Sequence, residues 1–196
     1  MSKSQKKTHK LARAPQQVKI IAGRWRGTKL PVVLQDDIRP TPSRVRETLF
    51  NWLQTRIEGS HCLDLFAGSG ALGFEAVSRG AAHATLVDSE QKVISLLSQQ
   101  IEKLDAQQVS LACVDALSYI NSCSCQFDII FLDPPFSKYH PDELLQTLVE
   151  SQCVKTGAMI YLESSPEKFP QTLPESWQWQ RQLKAGQVEC GLIVTK

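Results

Sequence analysis

No stretch of this chain holds the roughly eighteen consecutive apolar residues of a membrane-spanning helix, so no span is expected. Residues 1–7 put no apolar segment behind their lysines, and no secretory signal is expected there. None of the six cysteines (Cys62, Cys113, Cys123, Cys125, Cys153, Cys190) pairs with another at C-x-x-C spacing. Cys123 and Cys125 stand too close for a usual metal hairpin, and Cys62 and Cys113 lie in apolar, strand-like surroundings where cysteine acts as a small hydrophobe. The four histidines are scattered and accompany no cysteine. These absences argue against a metal centre and for reduced thiols, hence a cytoplasmic protein.

Acidic residues are missing from the start of the chain: the first is Asp36. Residues 1–60 carry 13 Lys and Arg against 4 Asp and Glu, a net +9, whereas the other 136 carry 9 against 16, a net −7. A basic front on an acidic body is suited to docking a polyanion. For residues 1–17 a solubilising tail explains the lysines equally well. With 196 residues, 42% hydrophobic and 21% charged, the chain can bury one full core. A monomer is the default expectation.

Residues 1–17 read as a flexible basic tail. Residues 18–58 read as an extension: two short strands at 18–21 and 29–34, then a helix with Thr41 as N-cap, Pro42 at its first position and Val45, Leu49, Leu53 and Ile57 as its buried stripe. The turn between the strands carries Arg24, Trp25 and Arg26. Residues 59–196 alternate strand and helix. Strands are expected at 61–66, 84–87, 109–113, 127–132 and 158–162, and helices at 69–79, 90–104, 116–121 and 141–151. A final hairpin, 177–184 and 188–195, turns at Ala185-Gly186-Gln187. This order implies an α/β fold: a Rossmann-like, mostly parallel sheet with an antiparallel C-terminal hairpin and a small N-terminal extension.

Two motifs carry chemistry. The strand at 127–132 runs into Asp133-Pro134-Pro135-Phe136. There a carboxylate and the Pro134 carbonyl can accept both protons of a ring amine, and an aromatic ring can stack on a base. The strand at 61–66 leads from Asp64 through Phe66 and Ala67 into Gly68-x-Gly70-x-x-Gly73, with Asp88 twenty residues after Gly68. That spacing matches adenosine-cofactor sites generally, leaving nicotinamide, flavin and S-adenosylmethionine open. Asp64, a carboxylate one turn from the glycines, disfavours a pyrophosphate and favours a donor carrying an ammonium and a sulfonium. Asp115, with the Ala116 backbone, could meet an adenine amine. Asp64, Asp88 and Asp115 could each be simple caps. Together with Asp133 they fall at four successive strand ends, which places them on one sheet edge.

These residues resemble the class I, seven-stranded S-adenosylmethionine-dependent methyltransferases that modify ring amines. The segments 21–30 and 39–52 make the chain similar to the RsmD-type bacterial 16S ribosomal RNA (guanine-N2)-methyltransferases, over roughly residues 18–195. The resemblance implies S-adenosylmethionine as cofactor. It implies transfer to N2 of one guanine, with 16S RNA, within the 30S subunit or its assembly intermediate, as partner. It implies Asp64, Phe66, Ala67, Gly68 and Gly70 around the methionine and ribose of the donor, Asp88 on the ribose, Asp115 and Ala116 at the adenine, and Asp133 to Phe136 at the target base. Arg24, Arg26, Lys29, Arg39, Arg44 and Arg46 would hold phosphates and Trp25 would stack on a base, although Arg39 or Arg46 could pair internally and Trp25 could be core. The alternatives are a DNA adenine-N6 methyltransferase, a catalytically inactive RNA-binding assembly factor and a nicotinamide oxidoreductase.

Overall fold

The computed structural model describes residues 17–32 and 42–196. Residues 1–16 of the expected tail, the end of the second strand, Arg39 and the Thr41 cap lie outside them, while Gln17 opens the first strand. Strands β1 (Gln17–Lys19) and β2 (Lys29–Pro31) pair antiparallel as a hairpin of their own. Helix α1 (Ser43–Trp52) follows, with Pro42 in the cap position rather than inside the first turn. The main unit then runs β3 (His61–Asp64), α2 (Ala71–Ser78), β4 (His83–Asp88), α3 (Gln91–Leu104), β5 (Val109–Cys113), α4 (Ala116–Ser122), β6 (Phe127–Leu132), α5 (Pro141–Glu150), β7 (Val154–Ser164), β8 (Trp177–Ala185) and β9 (Val188–Thr195).

Seven strands form one sheet in the order β5-β4-β3-β6-β7-β9-β8. β3 pairs in parallel with β4 on one side and β6 on the other, and β9 runs antiparallel to both β7 and β8. The expected fold is the one observed. The parallel strands are contiguous apolar runs because helices cover both faces: Phe127, Ile129, Ile130, Phe131 and Leu132 of β6 are all buried. β7 extends four residues before its expected start, with a register shift opposite Phe127–Ile129.

One core lies on each face. Val45, Leu49 and Phe50 of α1 and Leu53 just beyond its end join Phe74, Leu86 and Leu97 on the first, and Ile20, Trp25 and Leu30 of the hairpin belong to this same core. Leu63, Leu65, Ile130, Leu145, Leu148 and Trp177 fill the second. Among the described residues no helix is long and apolar enough to cross a membrane.

The hairpin is anchored by one buried carboxylate. Glu75 of α2 is fully buried and accepts the N–H groups of Ile21 (2.6 Å) and Ala22 (2.9 Å) and the Arg79 Nε–H (2.7 Å). Next to this anchor Gly23, at φ +80°, lies so close to α2 that a Cβ would sit 1.7 Å from the Ser78 carbonyl oxygen. Arg46, 3% exposed, donates through both terminal nitrogens to the Lys19 carbonyl at 3.1 Å. Burial lowers its guanidinium pKa, and the Glu75 charge opposes that shift. The substitution Glu75→Ala leaves two N–H groups and a guanidinium without their acceptor. It should cost about 3 kcal/mol of unfolding free energy in a denaturant titration. Loss of less than ~1 kcal/mol would show that the hairpin is held by its apolar contacts alone.

Candidate active site

The parallel pairing sets the geometry of the site. Asp64 and Asp88 end β3 and β4, Asp115 stands two residues beyond β5, and Asp133 directly follows β6. Across the sheet the order is therefore Asp115, Asp88, Asp64, Asp133, all at the carboxyl edge. The chain leaves β3 for neighbours on either side, and this is the point at which open α/β sheets form their ligand crevice.

Asp64 is 2% exposed and accepts the Gly73 N–H at 3.1 Å. Burial pushes its carboxyl up to about 7; the Gly73 N–H pulls the other way, and the negative charges of Asp133 and Asp88 add to the rise. Asp88 accepts the Gly68 N–H (3.0 Å) with one oxygen and the Glu90 N–H (2.9 Å) with the other. Burial raises its pKa and these two donors oppose it. Each oxygen still has a lone pair for a hydroxyl of a ligand. The glycine turn is open where it must be: at Gly68, with φ +49°, a Cβ would meet nothing nearer than the Phe66 carbonyl oxygen at 3.9 Å. Gly70 (φ +73°) and Gly73 serve packing instead, because a Cβ there would strike Phe74 or Leu86. Ala67 is buried and fastens the turn through its N–H to the Val87 carbonyl (2.9 Å).

Asp115 is both cap and cross-link. Oδ1 accepts the Leu117 (3.1 Å) and Ser118 (3.5 Å) N–H groups at the start of α4, and Ala116 is buried behind it. Oδ2 accepts the Tyr139 hydroxyl and lies 3.4 Å from Lys138 Nζ. The Tyr139 hydroxyl, before the other donors, holds the Asp115 pKa below its ordinary value. The Tyr139 ring meets Phe66 edge-on at 4.9 Å.

The Asp133–Phe136 turn is pinned at its carboxyl end. The Pro135 carbonyl accepts the Lys138 (3.0 Å) and Tyr139 (3.4 Å) N–H groups, and the Phe136 carbonyl accepts Lys168 Nζ. The Pro134 carbonyl has no hydrogen-bond partner among the described residues, so it can accept from a ligand. Phe136 is half-buried.

The basic candidates separate. Arg24, Arg26, Lys29 and Arg44 are exposed. Arg24 stacks its guanidinium 4.0 Å from the Trp25 ring centroid and bonds Gln108 (2.9 Å). Two expectations are corrected. Trp25, 9% exposed, packs edge-on against Phe74 and is not free to stack on a base. Arg46 is buried as a clamp on the hairpin and is not presented to a phosphate. Arg39 lies outside the described residues.

Tyr139, Lys138 and Glu163 were not expected. Nothing local marks Tyr139, since its partner Asp115 is 24 residues away. Glu163 could have been found as an acid in an otherwise apolar strand. It is 3% exposed at the carboxyl end of β7, next to the Leu132–Leu162 pair, and accepts the Tyr161 hydroxyl at 2.7 Å.

The family described as Conserved hypothetical protein 95 matches residues 18–194. The chain is similar to the Ribosomal RNA small subunit methyltransferase D of Escherichia coli, with 42% identity over 172 residues, 88% of this chain and 87% of that one. The protein of the same name from Haemophilus influenzae is 42% identical over 165 residues, 82% of this chain and 85% of that one. The solved structure of the Escherichia coli protein yhhF superposes with a TM-score of 0.84 at 40% identity, covering 92% of this chain and 99% of that one. A structure of SMU.776 complexed with SAH shares the fold, with a TM-score of 0.67 at 19% identity, covering 94% of this chain and 57% of that one.

The raised Asp64 pKa has a signed consequence. Between an ordinary carboxyl pKa near 4 and a folded value of about 7, the folded protein holds a proton that the unfolded chain has released. Stability should therefore fall as pH rises through this window, by ~1.4 kcal/mol per pH unit at most, and level off above it. In Asp64→Asn, whose amide oxygen can keep the Gly73 bond, this part of the slope should vanish. Parallel pH–stability curves for the two proteins would remove the basis for the shift.

Proposed function

The chain belongs to the Conserved hypothetical protein 95 family, together with the ribosomal RNA small subunit methyltransferase D proteins, and on that premise we propose that it is an S-adenosylmethionine-dependent methyltransferase acting on N2 of a guanine in 16S ribosomal RNA. The observation that carries this reading is the adjacency of two elements. An amine-accepting turn, Asp133 with a Pro134 carbonyl that has no partner among the described residues, stands at the end of β6, and the glycine turn with its buried acid stands at the end of the neighbouring β3.

The residues suit the donor. A buried carboxyl near pKa 7 is short of a cation, and an ammonium group placed beside Asp64 would supply one. Asp88 can accept ribose hydroxyls, and the open side of Gly68 lets backbone and ligand approach closely. Half-buried Phe66, backed by the buried Tyr139 ring, offers ring surface towards the adenine end, where Asp115 and Ala116 begin α4. When bound, S-adenosylmethionine supplies an electrophilic methyl group on a cationic sulfur, whose bond to that methyl breaks with the electron pair left on sulfur.

The protein's part is positioning and charge. Asp133 and the Pro134 carbonyl accept the two amine protons, holding the nitrogen lone pair out of conjugation with the ring and towards the methyl. As the nitrogen turns cationic, the Asp133 carboxylate stabilises it and takes its proton, or passes it to water. Phe136 supplies the face on which the base stacks once it has left its own stack, which is easier from an RNA loop than from a duplex. Arg24, Arg26, Lys29 and Arg44 hold flanking phosphates, and Arg39 remains a candidate for the same role. The chain is read as a monomer in the cytoplasm. Residues 18–58 are read as the RNA-docking extension and residues 59–196 as the methyltransferase domain.

Transfer of labelled methyl from the donor to undermethylated 30S subunits, naked 16S RNA and DNA, with nucleoside analysis of the product, tests this reading. N2-methylguanosine from the RNA substrates is expected; N6-methyladenine in DNA would overturn the assignment. Asp133→Ala should lower transfer at least a thousandfold while calorimetry shows S-adenosylhomocysteine binding within about threefold of wild type. RNA affinity should fall steeply between low and moderate salt, and a flat salt response would sink the arginine contacts.

A further inference from the structure

On the first face of the sheet, α1 stops short of the outer strands and leaves a cavity of about 400 Å³. No carboxylate lines it. Met159 and Val194 give it an apolar floor, half-buried Trp52 an aromatic wall, and exposed Asn51, Arg56, Gln180 and Arg181 a polar rim.

Arg181 owes its place in the rim to a fold irregularity. β8 shifts register against β9 between Trp179 and Arg181, so Trp179 pairs with Ile193 and Arg181 with Leu192. Before the shift, Trp177 and Trp179 pack into the second core; after it, Leu183 and Ala185 pack against the first. The same shift carries Arg181 to the α1 side. Without it, strand alternation would put Arg181 with Trp177 and Trp179 on the opposite face.

Both guanidinium groups are held by backbone oxygens and keep most of their donors. Arg56 Nη2 donates to the Gly157 carbonyl (2.5 Å) and Arg181 Nη1 to the Gln180 carbonyl (3.1 Å). Among the described residues neither has a carboxylate partner. Two guanidinium forks without carboxylate partners, lining one cavity with an indole, have the chemistry that accepts phosphate oxygens and stacks a base.

We propose that this cavity is a second RNA site, which grips the phosphates and one unstacked base of the substrate strand away from the reacting guanine. This rests on reading the chain as an RNA methyltransferase. Charge complementarity selects the occupant: the lining is purely cationic and neutral, with Arg56 from the basic front of the chain and Arg181 from its otherwise acidic body. The cavity opens at the C-terminal end of α1, ten residues or ~15 Å from the helix start that carries Arg44, so a strand could touch both ends of the helix.

The test is the pair Arg56→Ser and Arg181→Ser, alone and combined, in the full chain, on naked 16S RNA and on undermethylated 30S subunits. The double variant should raise the KM for naked RNA about tenfold or more and reduce the salt slope of RNA binding by about two. Trp52→Leu should raise KM several-fold without changing the slope. Binding of S-adenosylhomocysteine within twofold of wild type shows that the fold and the donor crevice are intact. A double variant with wild-type KM and slope on RNA overturns the proposal. A defect on 30S subunits but none on naked RNA also overturns it, pointing to a ribosomal protein as occupant. If the wild-type chain methylates no RNA at all, the functional reading fails first, and that result is distinct from either.

Discussion

Parallel pairing of β3 with both β4 and β6 is the constraint from which the site follows. It brings to one edge four carboxylates that are 69 residues apart in the chain, from Asp64 to Asp133. It also creates a problem, because negative charges so placed repel one another. Asp64 shows the result: both neighbouring acids push its carboxyl towards the neutral form, on top of its burial. Backbone N–H groups ease the strain, from Gly73 to Asp64 and from Gly68 and Glu90 to Asp88. The glycines thus do two jobs. They shape the crevice, and they bring donors to the acids that line it.

The second constraint is the attachment of the hairpin. A two-stranded ribbon of three residues per strand does not stand alone in water. It becomes part of the molecule because Glu75 accepts its backbone, Arg46 reaches across to Lys19, and Trp25 enters the first core beside Phe74. Two residues that look like ligand contacts are therefore spent on joining the basic front to the sheet. What remains on the outside, Arg24, Arg26 and Lys29, is held in a fixed relation to α2 and through it to the glycine crevice.

Long-period features were legible in the sequence. Contiguous apolar strands and the acids at strand ends report on local geometry repeated over several residues, and these appear where expected; Val45, Leu49, Leu53 and Ile57 are all buried as expected, although α1 ends at Trp52 and the last two lie in the turn beyond it. The fate of single charges was less legible. Arg46 sits one turn before Phe50, whose burial widens the apolar face of α1 enough to include position 46; a stripe drawn through Val45 and Leu49 alone leaves it outside. Trp25 lies in a turn, where no period exists to tell core from surface. The Tyr139–Asp115 bond and the Arg181 face depend on strand order or on a one-residue shift, and no local pattern encodes either.

Asp115 links the two halves of the site physically. Its Oδ1 holds the start of α4, and its Oδ2 holds the segment that follows the Asp133–Phe136 turn. The same segment is tied back to the turn through the Pro135 carbonyl. Displacement of the turn therefore draws Tyr139 away from Asp115, and a new donor at Asp115 competes with the Tyr139 hydroxyl. With four protein donors already on this carboxylate, an adenine amine is at best a fifth partner. The apolar surface beside that acid is the half-buried Phe66 ring, held in place by the buried Tyr139 ring.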